Sequence, residues 1–424
     1  MAFALRLGAF LALDRLHHPE VWESETIALN LLHGRGFLFR FLETDYRSYM
    51  EPLYPALCAL VYAVTGHHPL GLGLVQVALG TVLVWLVYVC ALRVTRERAA
   101  ALIAAALVAL HPALIVFTTK FHPFILDSLL LLVVLAGCLW CSSARPWFSA
   151  ARLGLLVGAC TLSRPTILAA APILGWWVWR TAAGSWRRRC LALILAAVCA
   201  GGVVAPWVWR NYRVQGRFML TRSGTPMVFW IGNNPYRFTG SALTPEGEAI
   251  LIDVVPARVQ EQIYALDELG QQDFFLQQAL QHVRVHPGAF VRRWILKWWY
   301  FWWFSPQAGL LYPKVWLRLY QGFYLVLWIG VGLGLGVRWW DRHDRRIDGA
   351  VLGLLMGLCG SIAFAQSLCY VEGRHRLAIE PWLAVVAGSG FWWLWSSWAG
   401  GMSRGPAARD SVAGSARPPD AEPT

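Results

Sequence analysis

Three glutamates lie close together near the start of the chain, directly after an apolar segment. Glu20, Glu23 and Glu25 fall within the stretch HPEVWESETIALNLLHGRGF (18–37), although the chain of 424 residues holds only 24 acidic ones. One interpretation is a solvated helix start, where the helix dipole favours negative charge. The other is a general base that removes a proton from an acceptor hydroxyl or amine, with its pKa raised in a cleft partly walled by lipid. These residues alone leave both interpretations open.

Arginines mark two further places along the chain. In TLSRPT (161–166), Arg164 stands between two apolar runs, and the proline after it breaks the helix. A cation there either snorkels to the membrane surface or faces an anionic partner. In EGRHR (372–376), Arg374, His375 and Arg376 precede the last apolar run. Because a guanidinium can bond two phosphate oxygens, these arginines are candidates for phosphate recognition.

The composition indicates a membrane protein. The chain is 57% hydrophobic and only 14% charged, with a mean hydropathy of +0.47. Soluble domains are about one quarter charged, so lipid is the solvent expected for most of this chain. The net charge of +13 comes from basic residues in short loops between apolar runs. These residues are expected to set the membrane topology and to contact lipid headgroups, and no nucleic-acid partner is predicted.

The apolar runs predict an all-α integral membrane bundle of about ten transmembrane helices with both termini in the cytoplasm. The connections 93–98, 142–152, 185–189 and 338–346 are rich in arginine and are therefore assigned to the cytoplasm. The first run is short, so either the true start lies upstream or its helix runs on to Leu16. The runs cover residues 2–16, 70–92, 99–118, 124–141, 152–163, 166–182, 191–208, 316–337, 348–366 and 379–397.

Three of the opposite connections are long enough to build a cleft: 17–69, 209–315 and 366–381. Within them, EPLYPALCALVYAVTG and FVRRWILKWWYFWWF are predicted to be helices lying in the membrane interface. The predicted organisation is an N-terminal membrane module, an extracytoplasmic loop region, C-terminal transmembrane helices and a disordered cytoplasmic tail, which cover residues 1–208, 209–315, 316–400 and 401–424.

Several motifs that hold cofactors are missing from the sequence. It has no Walker loop, no dinucleotide-binding glycine motif, no zinc spacing and no outward Asp-x-Asp pair. The nine cysteines, most of them in apolar runs, suggest small core residues and not a disulfide framework. Neither a cofactor nor a metal is predicted.

Four stretches, in this order along the chain, carry a family resemblance. WESETIALNLLHGRGF with the following YRSYMEPLYPALCALVYAVTG resembles the first extracytoplasmic loop of the GT-C membrane glycosyltransferases, and in particular of the protein mannosyltransferases and aminoarabinose transferases. TLSRPT, then PWVWRNYRVQGRF with WIGNNP (230–235), and RHRLAIEP (374–381) match the same family. The two asparagines of WIGNNP, Asn233 and Asn234, are typical of a turn.

The resemblance implies a site and a reaction. A polyprenyl-phosphate-linked sugar would be the donor, and a lipid, glycan or protein would be the acceptor, at the extracytoplasmic face of the inner membrane. The family's base is usually an aspartate in the first loop. Here Glu23 is the first choice, Glu20 the second, and Glu25 is expected to cap the helix. Donor phosphate binding is predicted for Arg164, Arg374 and Arg376, and substrate binding for Asp127, Glu51, Asp45 and His375.

For Asp127, which begins an apolar run, pairing with Lys120 or His122 is the alternative to binding a sugar hydroxyl. Two other functions stay open for the chain. A lipid flippase or carrier also needs many helices and a cleft, although carriers usually show internal repeats and polar groups near the bilayer midplane. A catalytically inactive relative that serves as an assembly partner is the second alternative, because the family's aspartate is replaced. The sequence does not identify the sugar.

Overall fold

The computed structural model describes residues 1–244, 249–251, 253–308, 313–340 and 347–403, and these are mostly helical. The predicted tail after Ser403 and most of the arginine-rich connection 338–346 lie outside the described residues. The helices are α1 Ala2–Ala12, α2 Glu23–Leu32, α3 Leu53–Thr65, α4 Pro69–Thr95, α5 Arg98–Ala109, α6 Pro112–Thr118, α7 Phe124–Leu139, α8 Pro146–Thr161, α9 Ala171–Thr181, α10 Trp186–Gln215, α11 Thr225–Ile231, α12 Ala257–Tyr264, α13 Glu268–Val285, α14 Pro287–Trp302, α15 Lys314–Trp340, α16 Gly349–Leu368, α17 Gly373–Arg376 and α18 Glu380–Ser403.

The described helices include several that suit a membrane. Four are long and apolar enough to cross it: α4, α10, α16 and residues Lys314–Gly336 of α15. α5 and α6 pass the same test together but are bent by 54°, and α1, α3 and α7 are shorter apolar helices. The chain is therefore a multi-pass membrane protein, while the number of about ten spans stays a prediction.

Proline explains why the predicted run 99–118 is broken. α5 ends at Ala109, and His111 adopts an extended conformation before Pro112, as expected for a residue that precedes proline. The His111 ring accepts the backbone N–H of Leu114, which satisfies the start of α6. α1 also differs from one alternative, because it ends at Ala12 and does not run on to Leu16.

α8 and α10 pack at very short range through small residues. A Cβ atom added at Gly154 would overlap the carbonyl oxygen of Ala196, and one added at Gly158 would lie 2.7 Å from the carbonyl oxygen of Ala200. Membrane helices associate closely where such small residues meet. This contact fixes the end of α8, from which the TLSRPT stretch emerges.

The first long loop and the described parts of the 209–315 region form one layer, called the outer layer here, over one end of these helices. A short antiparallel hairpin, β1 Phe39–Phe41 and β2 Thr44–Tyr46, belongs to this layer. Glu268 at the start of α13 accepts the backbone N–H groups of Arg47 and Ser48 at 2.7 and 3.0 Å. The Tyr46 hydroxyl donates to the Gln271 side chain. These bonds attach the two loops to each other.

The connection 142–152 and the outer layer lie at opposite ends of α7 and α8. α7 starts near the layer and leads into the connection 142–152, and α8 returns from that connection. Each of these two helices has 16 residues, which corresponds to a length of about 24 Å. The two ends are therefore separated by most of the thickness of a membrane.

Gly154→Leu is expected to lower the stability by about 1–3 kcal/mol, because the added side chain forces α8 away from α10. The measurement is the thermal midpoint of the detergent-solubilised protein. Gly202→Leu on α10 is the control, since a Cβ there meets no atom within 4 Å. Equal midpoints for Gly154→Leu and the unchanged protein would contradict the packing described here.

Candidate active site

A cavity of about 410 Å³ lies between the ends of the membrane helices and the outer layer. Its walls come from every part of the chain that carries a family-like stretch except PWVWRNYRVQGRF. They include residues 22–23, 49–51, 122–127, 163–166, 222–231 and 366–375. The cavity thus collects segments that are more than 300 positions apart in the sequence.

Glu23 lines this cavity as the first residue of α2. Trp22 before it is extended, and the Glu23 side chain is half-buried at the start of the helix. Burial, and next the charge of Glu23, raise the pKa of the neighbouring Tyr49 hydroxyl well above its usual value. The Glu23 carboxylate has no hydrogen bond or ion pair with any residue in the described ranges. Its oxygens are available to a substrate.

The other two first-loop glutamates are already engaged. Glu20 forms ion pairs with Arg15 at 3.0 Å and with Lys120, and it does not line the cavity. Glu25 is buried, where it accepts hydrogen bonds from the Tyr62 hydroxyl and His67 Nε2 at 2.7 and 2.8 Å. The expected helix-capping role of Glu25 is therefore wrong, because its partners come from α3 and the following loop.

Arg164 and Asp127 form an ion pair in the cavity wall. Arg164 Nη1 lies 3.2 Å from Asp127 Oδ2, and Nη2 donates to the carbonyl oxygen of His375 at 2.8 Å. The other carboxylate oxygen of Asp127 accepts the Ser163 hydroxyl at 2.7 Å. The suggested pairing of Asp127 with Lys120 or His122 is thus wrong. Pro165 helps to place Arg164 here, since it starts a short 3₁₀ turn, Pro165–Ala170, directly after Arg164.

The two arginines of the RHR stretch point in different directions. Arg374 lines the cavity, with its guanidinium 5.4 Å from the Trp22 ring and paired with Glu372. Arg376 is fully buried on the other side, where it bonds Glu380 at 2.8 Å and lies 4.1 Å from the Tyr324 ring.

The physical reason is helical geometry. Residues two apart on one helical turn are rotated by about 200°. Arg376 therefore does not reach the cavity, and its predicted contact with the donor phosphate has no geometric support.

Of the two later acids in the first loop, the structure brings only one to the cavity. Glu51 lines it and pairs with Arg222 Nε at 3.2 Å. Asp45 is exposed on β2 and pairs with Arg40 at 3.6 Å, so it does not contact the cavity. Sequence reasoning missed Arg222, because a lone arginine in FMLTRSGTP has no spacing motif. Only its position in an otherwise uncharged stretch could have indicated it.

Two histidines, His122 and His375, line the cavity beside the three arginines and remain neutral there. Burial, and next the charge of Arg374, lower the pKa of both His122 and His375 well below the usual value. His122 stacks on Phe124 with ring centroids 3.8 Å apart. His375 Nδ1 accepts the backbone N–H of Glu372. Sequence reasoning considered His122 only as a partner of Asp127.

The charge pattern of the cavity is asymmetric. Three arginines, Arg164, Arg222 and Arg374, each face one carboxylate, whereas Glu23 lacks a described basic partner. In the described ranges no group of three His, Cys, Asp or Glu side chains is placed to hold a metal ion. The arrangement suits an anionic group at the arginines and a proton acceptor at Glu23.

Comparison with known proteins points the same way. Residues 50–209 match the family model of the dolichyl-phosphate-mannose-protein mannosyltransferases. The Archaeoglobus fulgidus oligosaccharyltransferase in its apo form has a similar structure, with a TM-score of 0.50 and 13% identity over 99% of this chain and 53% of that chain. The predicted resemblance to the GT-C membrane glycosyltransferases is therefore confirmed.

A second solved structure gives a lower TM-score. The structure of ArnT from Cupriavidus metallidurans bound to undecaprenyl phosphate gives a TM-score of 0.42 and 16% identity over 92% of this chain and 77% of that chain. No curated protein sequence matches the chain. The segment that matches the family model contributes Asp127 and Arg164 to the cavity, while Glu23, Arg222 and Arg374 lie outside that segment.

The neutral histidines predict a loss of stability in acid. Below about pH 6.5, His122 and His375 bind protons in the unfolded chain but stay neutral in the folded protein. The unfolded state therefore binds more protons, and the stability falls as the pH falls. His122→Gln is expected to reduce the fall in thermal midpoint between pH 7.5 and pH 5.5. His33→Gln at the exposed end of α2 should leave the fall unchanged, and equal pH dependence of both variants would contradict the assignment.

Proposed function

We propose that this protein transfers a sugar from a polyprenyl-phosphate carrier to an acceptor in the cavity described above. The observation that carries the proposal is the Glu23 carboxylate, which has no ion pair within the described ranges, in the same cavity as Arg164, Arg222 and Arg374. Such a cavity offers one group that removes a proton and several that stabilise a departing phosphate.

The reaction is a nucleophilic displacement at the anomeric carbon. Glu23 takes the proton of the acceptor hydroxyl or amine as that group bonds to the anomeric carbon. The bond from this carbon to the phosphate oxygen breaks, and its electron pair leaves with the polyprenyl phosphate. The guanidinium groups hold the charge that develops on the phosphate. Attack from the face opposite the leaving group inverts the anomeric configuration.

Two features support a lipid-linked donor. The matching family is described by its use of dolichyl phosphate mannose, a sugar on a polyprenyl phosphate. An apolar groove of about 410 Å³ also runs between α8, α9 and α10. Its lining includes Thr161 and Leu220, each two positions from a residue of the cavity wall, Ser163 and Arg222. A prenyl chain fits an apolar groove that opens beside phosphate-binding arginines.

The position of the cavity supports an extracytoplasmic site. The connection 142–152, with Arg145 and Arg152, lies at the far ends of α7 and α8 from the cavity. Short arginine-rich loops mark the cytoplasmic side, so the cavity faces outward from the inner membrane. The acceptor is a lipid, a glycan or a protein. The carrier alternative is not favoured, because the matched family consists of transferases.

Glu23→Gln is expected to reduce transfer by about 10²–10⁴-fold, as for the loss of a general base. The assay follows label from a radiolabelled polyprenyl-phosphate sugar into acceptors of a membrane extract. Glu20→Gln is the matched control, since Glu20 is paired outside the cavity, and it should keep most of the activity. Normal turnover in Glu23→Gln would remove Glu23 as the base. Label that crosses vesicles without leaving the lipid would support a carrier.

Arg374→Gln is expected to raise the KM for the lipid-linked donor about tenfold, because a charge-assisted hydrogen bond to phosphate is lost. The same variant should weaken inhibition by free polyprenyl phosphate. Arg217→Gln is the control, since Arg217 pairs with Asp273 on the exposed surface. An unchanged donor KM in Arg374→Gln would show that Arg374 does not bind the phosphate.

A further inference from the structure

The segment Gln366–Tyr370 links the end of α16 to the turn that carries Arg374. Its first and last residues line the cavity, so its position sets part of the cavity wall. The segment itself is not regular beyond Leu368. What holds it in place is therefore a question of tertiary contacts.

The WIGNNP stretch is packed directly against this segment. Asn233 Nδ2 donates to the carbonyl oxygens of Leu368 and Phe229, both at 2.8 Å. A Cβ atom at Gly232 would overlap the backbone of Cys369, so only glycine allows the two backbones to approach this closely. Asn234 forms the turn predicted from the sequence, since its side chain accepts the N–H groups of Tyr236 and Arg237. Asn233 does more than a turn requires.

Lys297 of α14 bonds both sides of the same contact. Its side chain is 0% exposed, and its ammonium group donates to Asn233 Oδ1 at 3.0 Å, to the Leu368 carbonyl at 3.1 Å and to the Gly232 carbonyl at 3.2 Å. None of these three partners is a carboxylate, and burial lowers the pKa of Lys297 to about 7. One side chain thus satisfies three oxygens from two chain segments.

α14 presents its opposite face outward. Val291, Ile295 and Trp299, spaced four apart, are about half exposed or more. This apolar, aromatic face agrees with the predicted position of α14 in the membrane interface. Lys297 therefore connects an interfacial helix to the cavity wall.

We propose that Lys297 and Asn233 are positioning residues that fix the Gln366–Tyr370 segment, and through it Arg374, against the cavity. The kinetic part of this inference rests on the proposed function. The structural part does not, because it concerns only how firmly the segment is held.

The structural part is tested by alkylation of Cys369 with N-ethylmaleimide, followed by peptide mass spectrometry of the detergent-solubilised full chain without substrate. Lys297→Met and Asn233→Asp should each raise the alkylation rate of Cys369 about tenfold, because hydrogen bonds to the segment are lost. Cys359, buried in the middle of α16, should stay unreactive in both variants. Lys314→Met, at the exposed start of α15, is the control and should not change either cysteine.

The kinetic part uses the same variants in the transfer assay. The donor KM should rise about tenfold while the acceptor KM stays within about twofold, a split that a general loss of folded protein would not produce. The inference is overturned if Cys369 in both variants is alkylated at the wild-type rate and the donor KM is unchanged. Reactive Cys359 in both variants overturns it as well, because the two residues then support the whole fold. If the wild type transfers no sugar, the proposed function fails, and the Cys369 rates still decide the positioning.

Discussion

The ion pair between Arg164 and Asp127 joins the turn after α8 to the start of α7 at the base of the cavity. The same guanidinium bonds the carbonyl oxygen of His375, so a single side chain ties three parts of the chain together. Charged groups are costly next to lipid unless they are paired. That cost explains why these segments, far apart in sequence, have to meet at one place.

The other charges of the cavity follow from the same constraint. Arg222 and Arg374 each face a carboxylate, so the basic wall is compensated before any ligand arrives. These pairs hold the guanidinium groups in fixed orientations, and in the proposed reaction such oriented charge would stabilise a developing anion. Glu23 differs because no basic residue in the described ranges pairs with its carboxylate. The carboxylate can therefore accept a proton.

The outer layer covers one side of the cavity, and its hydrogen bonds fix the loops that carry cavity residues. Glu268 and Gln271 attach the first loop to α13, while Asn233 and Lys297 hold the segment before Arg374. Both attachments use buried hydrogen bonds, which are directional and costly to leave unmade. The apolar contact of α8 with α10 fixes the end of α8, and hence the position of Arg164. It does not orient side chains as hydrogen bonds do.

The sequence by itself determined the class of this protein. Its apolar runs and arginine-rich loops indicate a helical membrane protein, and four short stretches were sufficient for the GT-C resemblance. Local chemistry also sufficed for the turn at Asn234 and for the start of α2 near Glu23, because proline, asparagine and helix-end preferences act over a few residues.

Only the tertiary structure decided which of the charged residues share a cavity. Glu20 and Glu23 look equivalent in the sequence, yet Lys120, a hundred positions away, pairs with Glu20, while Glu23 has no ion pair in the part of the chain that the structure describes. Arg374 and Arg376 are separated by one residue, but one helical turn and the buried Glu380 direct Arg376 away. Arg222 and Lys297 carry no motif. Ion pairing and burial depend on distances in space, and these distances cannot be read from spacing along the chain.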